Sequence, residues 1–169
     1  NNICSMYIKQ THSTSSLLRE QYSDALPHLY TIRTDFQTAG RGQAGNSWES
    51  EEGKNLLFST LLRYEGILAA EQWRLSMLVA VTLWDTLAKY LPQEQLTIKW
   101  PNDIVIDGKK VCGILTEMST QVDSINHIAL GIGINVRHQS FPSELSEIAT
   151  TLEDQLGKSI SRALLIRQV

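Results

Sequence analysis

The spacing of hydrophobic residues changes along the chain, and each change predicts a different element. Residues 30–36 alternate between apolar and polar side chains, which predicts a half-buried strand, and the apolar run at 56–62 predicts a second one. Residues 69–91 carry the clearest helical period, and Pro92 ends it. The face of this helix that we expect to be buried consists of Trp73, Met77, Ala80, Trp84, Leu87, Ala88 and Leu91.

The second half of the chain predicts mostly strands. Residues 96–100 form a short strand that ends at Pro101, and Asp107-Gly108 predicts a tight hairpin between residues 104–106 and 109–111. Longer strands follow at 114–118 and 125–136, then a helix over about 143–156 and another that begins near Ser161. The first dozen residues are polar and show no strong period, so no element is predicted before a helix that starts at Thr14 or Ser15.

Composition narrows the class of protein. The 169 residues (19.0 kDa) suffice for one compact domain, and the net charge of −3 does not suit a nucleic-acid binder. Two cysteines and no basic-then-apolar leader favour the cytoplasm. The longest apolar stretch, residues 75–87, contains Ser76, Thr82 and Asp85 and does not predict a membrane span. No element follows the last helix, from which we expect the chain to be truncated; the alternative is a short terminal helix that packs on the core.

A long polar segment, residues 37–55, contains the first candidate for chemistry. Gly40-Arg41-Gly42-Gln43-Ala44-Gly45 satisfies the pattern G-x-G-x-x-G, but no helical period follows, so a dinucleotide-binding fold is rejected. Three glycines still allow backbone N–H groups to approach an anion, and Arg41 adds donors. The alternative is a flexible solvated loop, against which Trp48 argues because an exposed indole needs something to cover.

Two further segments have a composition that suits a ligand. Lys99-Trp100-Pro101-Asn102-Asp103 ends a strand, and the hairpin brings Lys110 back beside it, where lysine and aspartate could hold a nucleotide phosphate and its metal; an ordinary turn with a surface lysine is the alternative. In the strand at 128–136, large aliphatic residues alternate with Ala129, Gly131, Gly133 and Asn135. The small face could form the floor of a pocket or pack tightly against a helix.

Other common sites lack a signature in the sequence. The four histidines are scattered without metal-binding spacing, so no metal site built from protein side chains is predicted. No G-x-S-x-G motif occurs, so the common signature of serine hydrolases is absent from the sequence. Cys112 is expected to be a small buried filler.

Taken together, these segments resemble the biotin–protein ligases. The matching pieces lie in that family's order over residues 12–136: Ser13-Thr14, Gln37-Thr38-Ala39-Gly40-Arg41-Gly42, Trp48, Lys99-Trp100-Pro101-Asn102-Asp103, Lys110 with Gly113-Ile114-Leu115, and Gly131-Ile132-Gly133-Ile134-Asn135. The resemblance implies an α+β fold, with a mixed, largely antiparallel sheet flanked by helices. Residues 1–169 would form the catalytic domain, without the small C-terminal β-barrel or the N-terminal DNA-binding domain of some relatives.

The resemblance also implies an activity and its residues. Such enzymes join biotin to ATP as biotinyl-5'-adenylate and then transfer biotin to a lysine of a biotin carboxyl carrier protein, with Mg²⁺ accompanying ATP. Lys110, Arg41 and Asp103 would be catalytic, and Asn102, Asp103 and Asn135 would bind nucleotide. Biotin and its adenylate would contact Ser13, Thr14, Ser15, Gln37, Gly40, Arg41, Gly42, Gln43, Trp48, Lys110, Gly113 and Leu115. The protein would be a monomer or a homodimer.

Two positions depart from the common family pattern, and two other functions compete. Ser15 stands where many members carry Asn, and Gln43 stands where many carry Arg. A lipoate–protein ligase would share the fold, but the Lys-Trp-Pro-Asn-Asp stretch argues against it. A non-catalytic module that binds a carrier protein is the other alternative, and the presence of both Lys110 and Arg41 counts against it.

Overall fold

A computed structural model describes residues 4–64, 68–121 and 124–169 and contains one seven-stranded sheet. Its strands are β1 (Ser5–Thr11), β2 (Thr31–Gln37), β3 (Asn55–Arg63), β4 (Leu96–Lys99), β5 (Asp103–Ile106), β6 (Lys109–Gln121) and β7 (Ser124–Asn135). The α-helices are α1 (Thr14–Glu20), α2 (Gln72–Leu87), α3 (Ser143–Ser146), α4 (Leu152–Leu156) and α5 (Arg162–Leu165). The strand order is β1-β2-β3-β7-β6-β5-β4, and β1–β2 is the parallel pair among antiparallel neighbours. The predicted mixed, largely antiparallel sheet is confirmed.

The central strand β7 separates two hydrophobic layers, as its alternating sequence predicts. Its large residues, Ile128, Leu130, Ile132 and Ile134, join the main core with the buried side of α2. On the opposite face, Ala129 packs in a smaller cluster with Leu18 of α1. A methyl group at Gly131 would collide with the Ser15 hydroxyl, so this glycine allows α1 to lie directly against the sheet.

The first strand, β1, was not predicted from the sequence. β1 lies at the edge of the sheet, pairs with β2 alone and leaves most of its side chains partly or fully exposed. Because an edge strand has little apolar surface to bury, its polar sequence carries a weak alternation. Residues 1–3 of the polar segment lie outside the described residues. α1 begins at Thr14, as predicted, and Ser13 caps it by accepting a hydrogen bond from the Ser16 N–H.

The helix predicted at 69–91 is shorter, and its predicted buried face is partly wrong. α2 spans Gln72–Leu87, and the side chains of Trp73 and Met77 are 50% and 45% exposed. The buried residues are Leu75, Ala80, Leu83, Thr86 and Leu87. Apolar residues cover more than half of this helix, so its period alone does not determine which stripe packs on the sheet. None of the helices in the described ranges is long and apolar enough to cross a membrane.

The helix predicted at about 143–156 is two short helices, because the chain between them joins the sheet. The Lys110 N–H donates to the Ile148 carbonyl at 2.8 Å, and the Thr150 N–H donates to the Lys110 carbonyl at 2.9 Å. This pairing, a bridge between Lys110 and Ala149, extends the sheet beyond the end of β7. Residues that pair in a sheet cannot complete helical turns, so α3 ends and α4 begins on either side.

The final helix is anchored to β2 by a partly buried ion pair. Ser161 caps α5 as predicted, and Arg162 donates to Asp35 at 3.0 Å, while the Tyr7 hydroxyl donates to the other carboxylate oxygen at 2.7 Å. Burial alone would raise the pKa of Asp35, but the hydrogen bonds from Tyr7 and Arg162 and the nearby positive charge outweigh it. The pKa of Asp35 therefore lies below its ordinary value, and its charged form stabilises the fold.

Candidate functional site

A cavity of about 240 Å³ opens on the small-residue face of the sheet, beside the N-terminus of α1. Its wall includes most of the residues predicted for biotin, adenylate and nucleotide: Ser13, Thr14, Ser15, Gln37, Arg41, Gly42, Gln43, Trp48, Asn102, Asp103, Lys110, Gly113 and Leu115. Gly131 and Gly133 of β7 complete the floor, so the small face does form a pocket. These segments are distant in sequence, and the sheet brings them together.

A β-bulge directs the Lys110 side chain to this cavity. Lys110 pairs with Val105 and Cys112 pairs with Ile104, so Val111 is the extra residue in β6. Val111 and Cys112 both point into the main core, and the strand regains its alternation at Gly113. Without the bulge, Lys110 and the buried Cys112 would share a face. Burial raises the pKa of the Cys112 thiol to about 12, so it is inert, as expected of a filler.

Lys110 and Asp103 form a close ion pair at the cavity wall. Lys110 Nζ lies 2.7 Å from Asp103 Oδ1, while this buried oxygen receives no well-directed hydrogen bond. The contact is therefore mainly one of charge, and the ammonium remains free to turn toward a second anion. Lys110 Nζ also lies 5.3 Å from the centre of the Trp48 ring. The cation thus sits between a carboxylate and an aromatic face.

Elsewhere on the cavity wall, neutral polar groups form a connected hydrogen-bonded chain. Gln37 Oε1 accepts from the backbone N–H of Thr14 at 2.8 Å and from its hydroxyl at 3.1 Å. Ser59 Oγ lies 2.8 Å from the Thr14 hydroxyl and 2.9 Å from the Ser15 hydroxyl. If Thr14 donates to Gln37, then Ser59 donates to Thr14 and Ser15 donates to Ser59. That direction leaves the Gln37 amide N–H groups and hydroxyl lone pairs for a ligand.

The segment between β2 and β3 folds over the cavity rather than extending into solvent. Arg41 and Ser47 form an antiparallel bridge, and the Trp48 N–H donates to the Gly40 carbonyl at 2.9 Å. Gly40 does not line the cavity, but a side chain there would strike the Trp48 backbone. We call residues 40–48 the cavity loop. The bridge and the hydrogen bond give this loop a defined path along the cavity wall.

Trp48 closes the cavity by lying on two glycines. A methyl group at Gly113 or Gly133 would stand 2.5 or 2.6 Å from the indole ring, closer than side-chain carbons normally approach. The indole N–H is buried and has no hydrogen-bond partner among the described residues. Such an unpaired buried donor is costly, and a ligand acceptor would relieve the cost.

Arg41 is held by a carboxylate that the sequence did not reveal as part of the site. Arg41 Nη2 donates to Glu117 Oε1 at 2.7 Å and Nη1 donates to Glu117 Oε2 at 3.2 Å. Arg19 of α1 donates to the same carboxylate at 2.8 Å. Glu117 and Ser59 were both missed because each lies in the middle of a strand, and their partners lie 40 or more residues away. No local motif reports such contacts.

Two predicted nucleotide residues have other partners. Asn102 lines the cavity, and its side-chain amide donates to the Ile114 carbonyl at 3.3 Å. Asn135 does not line the cavity; it is buried at the end of β7, where its oxygen accepts from Asn55 at 3.1 Å. Gln139 donates in turn to Asn55 at 2.6 Å. This conformation therefore uses Asn135 to fix the end of β7.

The domain thus has a mixed sheet whose glycine-floored cavity is lined by a set of neutral polar groups and by two cations. Comparisons with known proteins identify it further. The sequence profile of the biotin/lipoate A/B protein ligase family matches residues 7–135, and the chain belongs to this family. It is 40% identical over 159 residues to the bifunctional ligase/repressor BirA of Bacillus spizizenii, which covers 93% of this chain. It is 42% identical over 102 residues to the biotin–[acetyl-CoA-carboxylase] ligase of Paracoccus denitrificans, covering 59% of this chain and 41% of that protein.

Solved structures show the same fold. The biotin protein ligase from Aquifex aeolicus in complex with biotin and ATP superposes with a TM-score of 0.81 at 30% sequence identity, covering 98% of this chain and 66% of that one. The fold class implied by the sequence is confirmed. The chain spans about half the length of the Bacillus relative, 48%.

Proposed function

We propose that this chain is the catalytic domain of a biotin–protein ligase. It would use ATP to activate biotin as biotinyl-5'-adenylate and transfer the biotinyl group to a lysine of a biotin carboxyl carrier protein. The observation that carries the proposal is that one cavity is lined both by the neutral polar groups of Gln37, Thr14 and Ser15 and by the cations Lys110 and Arg41. A ligand with a neutral ring system and an anionic tail fits that combination.

The neutral groups of Gln37, Thr14 and Ser15 suit the ureido group of biotin. A cyclic urea has one carbonyl acceptor and two N–H donors, and this cavity offers both kinds of complement. Gln37 has two amide hydrogens to donate, since Thr14 uses only its oxygen, and the hydroxyls of Thr14 and Ser15 have lone pairs that accept. Thr14 and Ser15 are buried, and hydrogen bonds connect them with Gln37 through Ser59 and the Thr14 backbone, so these groups are oriented before a ligand arrives.

The cations Lys110 and Arg41 suit the first chemical step. A biotin carboxylate oxygen attacks the α-phosphorus of ATP, the bond from that phosphorus to the bridging oxygen breaks, and pyrophosphate leaves. Two anionic groups must approach each other, so a cation beside both lowers the barrier. Lys110 is suited to this task because the bulge aims it at the cavity and its contact with Asp103 is one of charge. Arg41 is suited to holding the phosphate of the product.

ATP enters such reactions with Mg²⁺, and Asp103 is the carboxylate suited to that ion. Asp103 lines the cavity, and Mg²⁺ carried by phosphates would need only one or two protein carboxylates. Among the described residues no cluster of three metal-binding side chains occurs.

In the second step the carrier lysine amine attacks the acyl carbon, the mixed-anhydride bond breaks and AMP leaves. The adenylate must survive until that lysine arrives, so water has to be excluded. Trp48 and the cavity loop lie over the glycine floor and suit this purpose. We expect this chemistry in the cytoplasm, since Cys4 and Cys112 are both free thiols.

The test is to incubate the chain with biotin and Mg·ATP and to measure biotinyl-5'-adenylate by mass spectrometry and pyrophosphate by a coupled assay. We expect both products in equal amounts, and a single biotinyl group on the lysine of an added apo carrier domain. Lipoate in place of biotin serves as the comparison for the other branch of the family. Equal or preferred use of lipoate, or binding of the carrier without adenylate formation, would refute the proposal.

A further inference from the structure

One carboxylate joins three parts of the site. Glu117 lies on β6, and its side chain is 15% exposed. It contacts Arg41 of the cavity loop and Arg19 of α1. Thr14 and Ser15, at the N-terminus of the same helix, line the cavity. The proposed function gives Arg41 a phosphate to bind, so the inference drawn from Glu117 rests on that proposal.

The hydrogen bonds of Arg41 show which of its donors remain for a ligand. A guanidinium has five N–H groups. Glu117 takes one hydrogen from each terminal nitrogen, and Ser16 Oγ accepts the second hydrogen of Nη1 at 3.2 Å. Within the described part of the chain, the Nε hydrogen and the second Nη2 hydrogen have no acceptor. These two lie on one edge of the guanidinium, in the spacing that binds two phosphate oxygens.

A carboxylate next to a phosphate site would normally repel the phosphate. Arg19 offsets that effect, because Glu117 with Arg19 is neutral and the group of three side chains keeps one net positive charge. Both arginines are about half exposed, whereas Glu117 is mostly buried, so the carboxylate is the fixed member of the group. Its two oxygens determine how the plane of Arg41 is oriented.

We propose that Glu117 is a positioning residue for the adenylate phosphate. It orients Arg41 so that the Nε–Nη2 edge is presented to the α-phosphate of biotinyl-5'-adenylate. The role concerns phosphate-bearing ligands, since the proposed function places the carboxylate of free biotin at Lys110 and only the adenylate brings a phosphate to Arg41. A carboxylate that merely fastens the cavity loop would instead affect every ligand that the loop covers.

The experiment compares two ligands in a double-mutant cycle. Calorimetry measures the affinity for biotin and for biotinol-5'-AMP, a stable analogue of the adenylate, in the unaltered chain, Glu117→Gln, Arg41→Ala and the double variant. Glu117→Gln keeps the shape of the side chain but loses its charge and one acceptor oxygen. Glu71→Gln is the matched control, because Glu71 pairs with Arg74 at 2.9 Å on the surface and does not line the cavity.

We expect Glu117→Gln to weaken binding of biotinol-5'-AMP about ten-fold and to change biotin affinity less than two-fold. In the Arg41→Ala background the same substitution should have no further effect, because the residue acts through Arg41. An equal loss for both ligands, or a loss that persists without Arg41, would overturn the inference. If the unaltered chain binds neither ligand, the proposed function itself fails.

Discussion

Gly133→Ala tests whether the closed position of Trp48 depends on the glycine floor. The added methyl group would stand 2.6 Å from Cε2 and 2.7 Å from Cζ2 of the indole, whereas ordinary contacts begin near 3.4 Å. The ring must therefore retreat by about 1 Å or the strand must shift. Overpacking of this kind costs about 1–3 kcal/mol, and replacing glycine by alanine in a strand returns about 0.5–1 kcal/mol. The unliganded chain should lose about 1–2 kcal/mol of stability.

The assay is urea unfolding of the unliganded chain, so that no ligand contact enters the comparison. The same substitution is made in a Trp48→Ala background, where the methyl group has room and should stabilise the chain by about 0.5 kcal/mol. Gly42→Ala is the control in the cavity loop, because a methyl group there meets its nearest atom at 3.4 Å. A similar loss with and without Trp48 would show that the clash with the indole is not the cause.

Four other outcomes are expected. Lys110→Ala should lower adenylate formation by about 10²–10³-fold with an unchanged circular-dichroism spectrum, and near-normal turnover would contradict its role at the phosphate. Gln43→Arg should slow the escape of biotinyl-5'-adenylate several-fold, since a charged donor binds phosphate about 1 kcal/mol more strongly than a neutral one. Equal labelling of a bystander protein by the variant and the unaltered chain would show that position 43 does not reach the intermediate. Ser59→Ala removes the shared partner of two buried hydroxyls and should cost about 1–3 kcal/mol of unfolding free energy and weaken biotin binding, with Ser59→Cys as a test of volume alone. Asp35→Asn should destabilise the chain at neutral pH, and the difference should shrink as the pH falls below about 3.8 and through the lower folded-state pKa, because only the charged form is stabilising; a gap that is constant from pH 7 to pH 2.5 would refute the assignment.

Elements with strong local patterns could be predicted from the sequence. The two-faced strand β7, the hairpin at Asp107-Gly108 and the cap at Ser161 were all found where their residues predicted them. Each depends on contacts or dihedral preferences of neighbouring residues, which a local pattern records. The resemblance then supplied candidate site residues, and most of these line one cavity.

The features that were missed depend on partners far away in sequence. The local sequence around Val111 predicts an ordinary strand and does not indicate a bulge. The bulge nevertheless determines which face of the sheet Lys110 occupies. Glu117 is one acidic residue in β6, and its meaning comes from Arg41, 76 residues earlier. The break between α3 and α4 likewise arises from sheet pairing with Lys110. Tertiary contacts override local preference in such cases.

The pairing of Lys110 with residues 148–150 has a practical consequence for engineering. The stretch from 143 to 148 contains the short helix α3 and is largely exposed, which would recommend it for a tag, a reporter insertion or new chain termini. However, Ile148 at its far end and Thr150 just beyond it are the two backbone partners of the lysine on that side of the sheet. An insertion after Ile148 would therefore disturb the reactive end of the cavity from a distance. A fusion placed at the Asp107-Gly108 turn would act on the same lysine through β6, which begins at Lys109, so the exposed turn at Gly157 and Lys158 is the safer attachment point.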